Sequence, residues 1–424
     1  MNKFWLTLFL ITLFLNPISG SVKADSLTIA VITDLHYLSP ELAVEGEALS
    51  VFERQTGRNV KDLHEVFDKV LDDLISEEVD ILLVTGDITN HGERLSHEGF
   101  LEKILPLQES GTQVFVIPGN HDINIQDAKA YRGEFATPAD NISKEEFAEL
   151  YKSMGYDDAL MRDDASLSYL YEIDEYTWLL AIDTNRYDEY EKGYLSGGRI
   201  KQQTRDWMLD ILNDADSKGI RVLGMMHHGL LEHLPYQSTL FPDYLIEEWQ
   251  KNSEILADAG LEIVFTGHFH SNDITMQTTH SGNTIYDVET ASLAQYPFAY
   301  RIMKLSDTDL TIETRFVTDV PGNPDLDKVY RRRLETITRN VASSRLQNMG
   351  MPFSEVMTEV LTDLIVKLNT AHVSGDEKPD PELMSAVQTF AAFLGNSVVE
   401  EDYTFDFPPA DNNLVIEFFI PEDN

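Results

Sequence analysis

The chain has 424 residues, of which 42% are hydrophobic and 25% charged, a balance that implies a sizeable buried core and excludes a disordered polymer. Its 32 Lys and Arg face 73 Asp and Glu, a formal charge of -41 spread along the chain, so no basic stripe exists to displace counterions from polymeric nucleic acid. There is no cysteine, which excludes disulfides and a lipid-bearing thiol.

The chain opens with Lys3, then the apolar stretch Phe4–Leu15, too short to span a bilayer comfortably, then Val22-Lys23-Ala24. This pattern predicts a signal peptide over residues 1–24, cleaved after Ala24, and hence an exported protein (secreted, cell-envelope or periplasmic) with no membrane span left after cleavage. An uncleaved N-terminal anchor is the alternative. Leu27–Thr33 reads as the first strand. A helix over 59–77 follows, with Leu63, Val66, Phe67, Val70, Leu71, Leu74 and Ile75 at three- and four-residue spacing. It leads to the strand Ile81–Thr85, then to a helix over 97–105 expected to stop at Pro106, then to the strand Val114–Ile117. Strand and helix alternate, as in layered α/β proteins with parallel pairing.

Residues 123–165 are less regular; Ser143 is expected to cap a short helix, and the stretch either overhangs the third cluster described below or is a surface excursion. Leu167–Ile173 and Trp178–Ile182 predict a hairpin. Helices over 201–213 and 244–259 precede the strands Val222–Met226 and Ile263–Thr266. Four alternating segments, Ile274–Thr278, Thr284–Val288, Tyr300–Leu305 and Leu310–Phe316, suggest an antiparallel end to a two-sheet sandwich with helices outside. Val320-Pro321-Gly322-Asn323-Pro324 marks a boundary. Residues 25–320 are thus expected to form a catalytic domain, and 321–424 a small helical domain with helices over 326–347, 354–371 and 381–394 and a tail, 413–420, that alternates weakly like a strand.

Five polar clusters each follow an apolar, β-branched run: Asp34-Leu35-His36, Gly86-Asp87, Gly119-Asn120-His121-Asp122, His227-His228 and Gly267-His268-Phe269-His270. Buried strands would carry all five to one end of a sheet, where carboxylate, amide and imidazole groups converge from distant parts of the chain. That donor set suits hard-to-borderline divalent metals. Singly each cluster is weak, since Gly-Asp and Gly-Asn occur in ordinary turns; in this order, each behind a strand, they point to a metal site.

The series D-x-H, GD, GNH(D/E), H and GHxH resembles the calcineurin-like metallophosphoesterase family over the region from Leu27 to Phe316, with all five motifs complete. The resemblance implies an α/β fold of two face-to-face sheets flanked by helices and a centre of two divalent or trivalent metal ions (Fe, Mn or Zn). It implies that Asp34, His36 and His270 hold the first ion, that Asn120, His227 and His268 hold the second, and that Asp87 bridges them. His228 is the alternative to His227. His121 would be no ligand but an acid or electrostatic stabiliser for the leaving oxygen. The chemistry is coherent: two cations about 4 Å apart hold a hydroxide at neutral pH, neutralise phosphoryl oxygens and permit in-line attack. The shortage of Lys and Arg near the clusters fits a site whose positive charge comes from metal. Within the family the chain resembles bacterial class III cyclic-nucleotide phosphodiesterases and their secreted relatives, because Asn90 stands where purple acid phosphatases show tyrosine and Tyr37 where exported 5′-nucleotidases show glycine. The expected activity is hydrolysis of small phosphodiesters such as cyclic nucleotides; a monoesterase, or an exported binding module on a retired site, are the alternatives. The expected partner is a small phosphate ester, and oligomeric state is not legible.

Overall fold

The computed structural model describes residues 26–190, 193–348, 354–375, 409–418 and the single positions 377, 381, 384, 385 and 388. The expected signal peptide, the break at Gly350 and Pro352, and most of the helix expected over 381–394 lie outside the described residues.

Two sheets make the body of the fold. The first has six strands in the order Asn413–Glu417, Asp309–Phe316, Ala299–Leu305, Leu27–Ile32, Ile81–Val84 and Gln113–Val116. The last three run parallel and the others antiparallel. The second has seven, in the order Asp273–Thr278, Thr284–Glu289, Ile263–Thr266, Arg221–Met226, Thr177–Ile182, Tyr169–Asp174 and Met161–Arg162, with the four from Thr284–Glu289 to Thr177–Ile182 parallel. A strand buried on both faces must be apolar throughout, and Ile81–Val84 and Ile263–Thr266 are buried at every position.

The alternation of side chains shows the layering. Leu179, Ala181, Leu223, Met225, Ile263 and Phe265 of the second sheet join the core shared with the first. Their neighbours Trp178, Leu180, Ile182, Val222, Met226 and Val264 point the other way, onto Met208, Ile211, Leu212 and Leu256 of the helices Gln202–Lys218 and Trp249–Asp258. On the far side of the first sheet lie the helices Leu63–Ser76 and Arg94–Glu109. The order is helix, sheet, sheet, helix, the two-sheet α/β sandwich expected from the pattern.

Several local expectations are corrected. The helix expected to stop at Pro106 continues to Glu109. Proline removes one backbone hydrogen bond there, but Leu107 is fully buried and holds the last turn against the core. The helix expected from residue 244 begins at Trp249, because Pro242–Tyr244 forms a separate 3-10 turn and Glu248 takes a left-handed backbone. The stretch 123–165 contains the strands Lys129–Arg132 and Phe135–Pro138, which pair in a small third sheet with Ala43–Val44. Ser143 does cap the helix Lys144–Leu150, in a reciprocal arrangement with Glu146.

Beyond the sandwich, the helices Leu326–Asn348 and Glu355–Ser374 pack on one another. Their apolar stripe is only half used: Tyr330, Leu361 and Leu364 are buried, whereas Val329, Val341 and Val356 are exposed. The alternating tail does form a strand, Asn413–Glu417, and it pairs with Asp309–Phe316 at the edge of the first sheet.

Candidate metal centre

All five clusters arrive where the two sheets meet, but not from one sheet. The first three leave the parallel strands of the first sheet and the last two leave adjacent parallel strands of the second. Convergence therefore depends on how the sandwich is assembled. The turns that deliver the side chains are strained: Asp34, His36, Asp87, His268 and His270 all have φ between 45° and 74°. For residues with a Cβ this left-handed region is uncommon, and each instance has a cost of roughly 1–3 kcal/mol that surrounding contacts must offset. Glycine makes the close approach possible. A Cβ on Gly119 would lie 2.2 Å from Asp87 Oδ1, and one on Gly267 would lie 2.6 Å from Asp34 Oδ2.

Two groups of donors result. One donor atom each of Asp34, His36 and His270 lies within 4.8 Å of the others, and the same holds for Asp87, His227 and His268. In the first group, His270 Nε2 is 3.0 Å from Asp34 Oδ1 and 3.2 Å from His36 Nε2. In the second, His227 Nε2 is 3.4 Å from Asp87 Oδ1 and 3.1 Å from Asn120 Oδ1. Asp87 reaches both groups, because its other oxygen, Oδ2, is 3.7 Å from His36 Nε2. All seven residues expected as ligands thus stand together.

The outer contacts choose which atom faces inward. His227 Nδ1 is 2.9 Å from the Thr85 carbonyl oxygen, which leaves Nε2 toward Asp87. His268 Nε2 is 3.0 Å from the Asp243 carbonyl oxygen, which leaves Nδ1. Such outer partners fix the tautomer and orientation of a ligating imidazole. His228 has both nitrogens engaged, with Thr184 Oγ1 at 2.7 Å and the Ser196 carbonyl oxygen at 2.9 Å, so of the adjacent pair His227 is the one with a nitrogen free for an ion. Asp122 faces away. It accepts from the backbone N–H groups of Gly119, Ile88 and Thr89 and from the Thr89 hydroxyl, locking the second and third cluster loops together.

The donor set fits metal ions on electrostatic grounds. Two imidazole nitrogens 3.2 Å apart beside a buried carboxylate gain little from each other, and a cation between them satisfies all three. Burial raises the Asp34 carboxyl, but the charge and hydrogen bond of His270 outweigh it and hold the group well below the usual carboxylate range. A chelator should consequently destabilise the protein. At a hundredfold excess of ion over its dissociation constant each site contributes about 2.7 kcal/mol, so the unfolding temperature should fall on stripping and recover on addition of Mn or Zn, as followed by calorimetry.

No sequence motif points to Arg58. Its guanidinium is buried, donates to Asn90 Oδ1 at 2.8 Å and lies with Nη2 3.2 Å from His121 Nε2. Lys and Arg are short near the clusters, yet one guanidinium reaches the site from elsewhere: Arg58 stands in no cluster and comes from the turn after the helix Glu47–Thr56. A guanidinium cannot accept, so His121 Nε2 accepts and its proton sits on Nδ1. Burial and the charge of Arg58 hold His121 well below the usual imidazole range.

The pocket over the centre has a volume of about 410 Å³. Arg58 and His121 form part of its floor, Tyr194, Tyr244 and Phe269 stand around it, and Leu334, Asn369 and Val373 of the two C-terminal helices close one side. No residue of 123–165 lines it.

A family model for the calcineurin-like phosphoesterases matches residues 27–272, more than half of the chain. The chain belongs to the calcineurin-like phosphoesterase family. It is a hydrolase of phosphoesters by membership, and the family is one in which a dinuclear metal centre is expected. A comparison with curated proteins finds no match. Among solved structures, this phosphoesterase is similar to a dimetal phosphatase from Danio rerio, with 15% identity, a TM-score of 0.50, and coverage of 68% of this chain and 96% of that one. It is also similar to a purple acid phosphatase from yellow lupin, with 12% identity, a TM-score of 0.42, and coverage of 70% of this chain and 52% of that one. At these identities the likeness concerns the fold.

Proposed function

We propose that this phosphoesterase is a phosphodiesterase for small substrates, with cyclic nucleotides as one candidate class. The observation that carries the reading is the pocket. It extends past the metal-ligand side chains into aromatic walls, Tyr194, Tyr244 and Phe269, and, among the described residues that line it, offers one guanidinium, Arg58. A diester presents one negative charge and two organic arms, which suits a single guanidinium and apolar faces; a monoester presents more charge and one arm. The volume of about 410 Å³ lies within the roughly 300–1,000 Å³ of small-molecule sites.

Asp34, His36 and His270 would hold one ion, Asn120, His227 and His268 the other, and Asp87 would bridge. When bound, the ions supply Lewis acidity toward phosphoryl oxygens and a hydroxide nucleophile at neutral pH. The chain's own groups do the rest. Arg58 is placed to pair with a non-bridging phosphoryl oxygen, and the aromatic walls orient the ester arms and thin the water around the phosphorus. His121 is neutral in the free site. A phosphate anion seated beside it counters the field of Arg58 and favours the imidazolium, which is then the acid for the departing alkoxide.

The test is turnover of a chromogenic phosphodiester against the matching monoester, with the protein loaded in turn with Mn, Fe and Zn. Faster turnover of the diester is expected; clear preference for the monoester would reverse the assignment. We also propose export with removal of residues 1–24, supported by Lys3, the apolar Phe4–Leu15 and Val22-Lys23-Ala24. Mass spectrometry of the protein from its native cell should find Asp25 at the mature N-terminus.

A further inference from the structure

A second polar cluster lies outside the pocket, beneath the end of the second sheet. It contains Asp273, Asp287, Glu289 and His233, all essentially fully buried, with His372 and Glu377 nearly so. Most of the cluster is internally satisfied. Asp287 accepts from the backbone N–H groups of Leu230 and Leu231 and from the Thr266 hydroxyl. Glu289 accepts from Ser271. His233 Nδ1 is 2.6 Å from Asp273 Oδ1, and its Nε2 faces Asp287 and Glu289 at 3.3 and 3.4 Å. The buried Arg301 guanidinium donates to the Glu289 carbonyl oxygen.

One corner is different. Asp273 Oδ2 has no hydrogen-bond partner, although the residue is 0% exposed. It points toward His372, whose Nδ1 lies 3.7 Å away and whose Nε2 is also without a partner. Glu377 Oε1 is 2.8 Å from His372 Nδ1. One donor atom each of Asp273, His372 and Glu377 lies within 4.8 Å of the others. A buried carboxylate oxygen left unpaired costs free energy that a cation recovers. His372 stands in the last turn of the helix Glu355–Ser374, where the helix dipole favours positive charge. Its partner Asp273 has its other oxygen on His233, the outer contact that orients a ligating carboxylate.

We propose that Asp273, His372 and Glu377 form a third, structural metal site for a divalent transition ion, separate from the dinuclear centre. One imidazole with two carboxylates suits Zn or Mn better than Ca or Mg, which seek all-oxygen shells. The ion fastens the C-terminal helix to the strand Asp273–Thr278, which begins three residues after His270. The ring of His372 also lies 5.6 Å from that of Phe269, between the two imidazoles of the last cluster.

The experiment uses the full chain loaded with Zn or Mn. Metal analysis should give three ions per chain, falling by one in Glu377→Gln and in His372→Ala. Anomalous diffraction at the metal edge should show a peak between the three side chains, and this peak should persist in Asp87→Asn. Glu377→Gln should keep its turnover number within about twofold and lose part of the metal-dependent rise in unfolding temperature, while matching the parent after chelation. No anomalous peak between Asp273, His372 and Glu377, or an unchanged ion count in both variants, overturns the proposal. Because the peaks are located individually, an empty pair of sites around Asp87 would count against the dinuclear reading alone.

Discussion

Asp87→Asn should abolish phosphoester turnover and lower the ion content of the purified protein. The two carboxylate oxygens of Asp87 face different donor groups, Oδ1 toward His227 and Oδ2 toward His36. The amide retains the shape but loses the charge that balances two cations, and its nitrogen cannot ligate. It also disturbs the loop, since Asp87 Oδ1 accepts from the His121 backbone N–H at 2.8 Å. Loss of an outer partner of a metal ligand typically costs roughly 10–100-fold; removal of a bridging ligand should exceed that. Turnover and metal analysis on one preparation check it, and a variant with full ion content and near-parental turnover would remove Asp87 from the bridging position.

His121→Ala should separate substrates by their leaving group. If the imidazole protonates the departing oxygen, its loss should cost about 10²–10⁴-fold with an alkoxide leaving group. A nitrophenolate departs without a proton and should lose far less. The ion content should be unchanged, since His121 Nε2 is engaged by Arg58 and lies no closer than 4.0 Å to Asp87 Oδ2. Equal losses with both leaving groups would mean that His121 stabilises charge on phosphorus and does not deliver a proton. The comparison is informative because the free imidazole is held neutral by burial and by Arg58: acid function requires that substrate binding itself raise its proton affinity.

The legible part of the fold was the part governed by local pattern. Ile81–Val84 and Ile263–Thr266 are continuous apolar runs because both faces are buried, and the stripe from Leu63 to Leu74 is helical because only one face is. The ligand clusters were legible because each is a contiguous motif behind such a strand. What the pattern could not show was anything set by assembly. Whether the five strands share a sheet is decided by pairing between distant segments, and here they divide between two. Arg58 belongs to no motif and reaches the site only because the turn after Glu47–Thr56 folds over it. His233 and His372 belong to no cluster behind a strand, and each is buried against carboxylates from remote strands. On the C-terminal helices Val356 is 72% exposed, because the pair presents one side only to the body.

The strand Asn413–Glu417 returns to lie beside Asp309–Phe316, the strand that precedes the two long helices. The helices are thus a loop-out between neighbours in one ladder, moored at both ends, and not a pendant appendage. The same connectivity delays completion of the first sheet until the far end of the chain is in hand, which makes a chain shortened before residue 413 a molecule with a bare β-edge, prone to self-association.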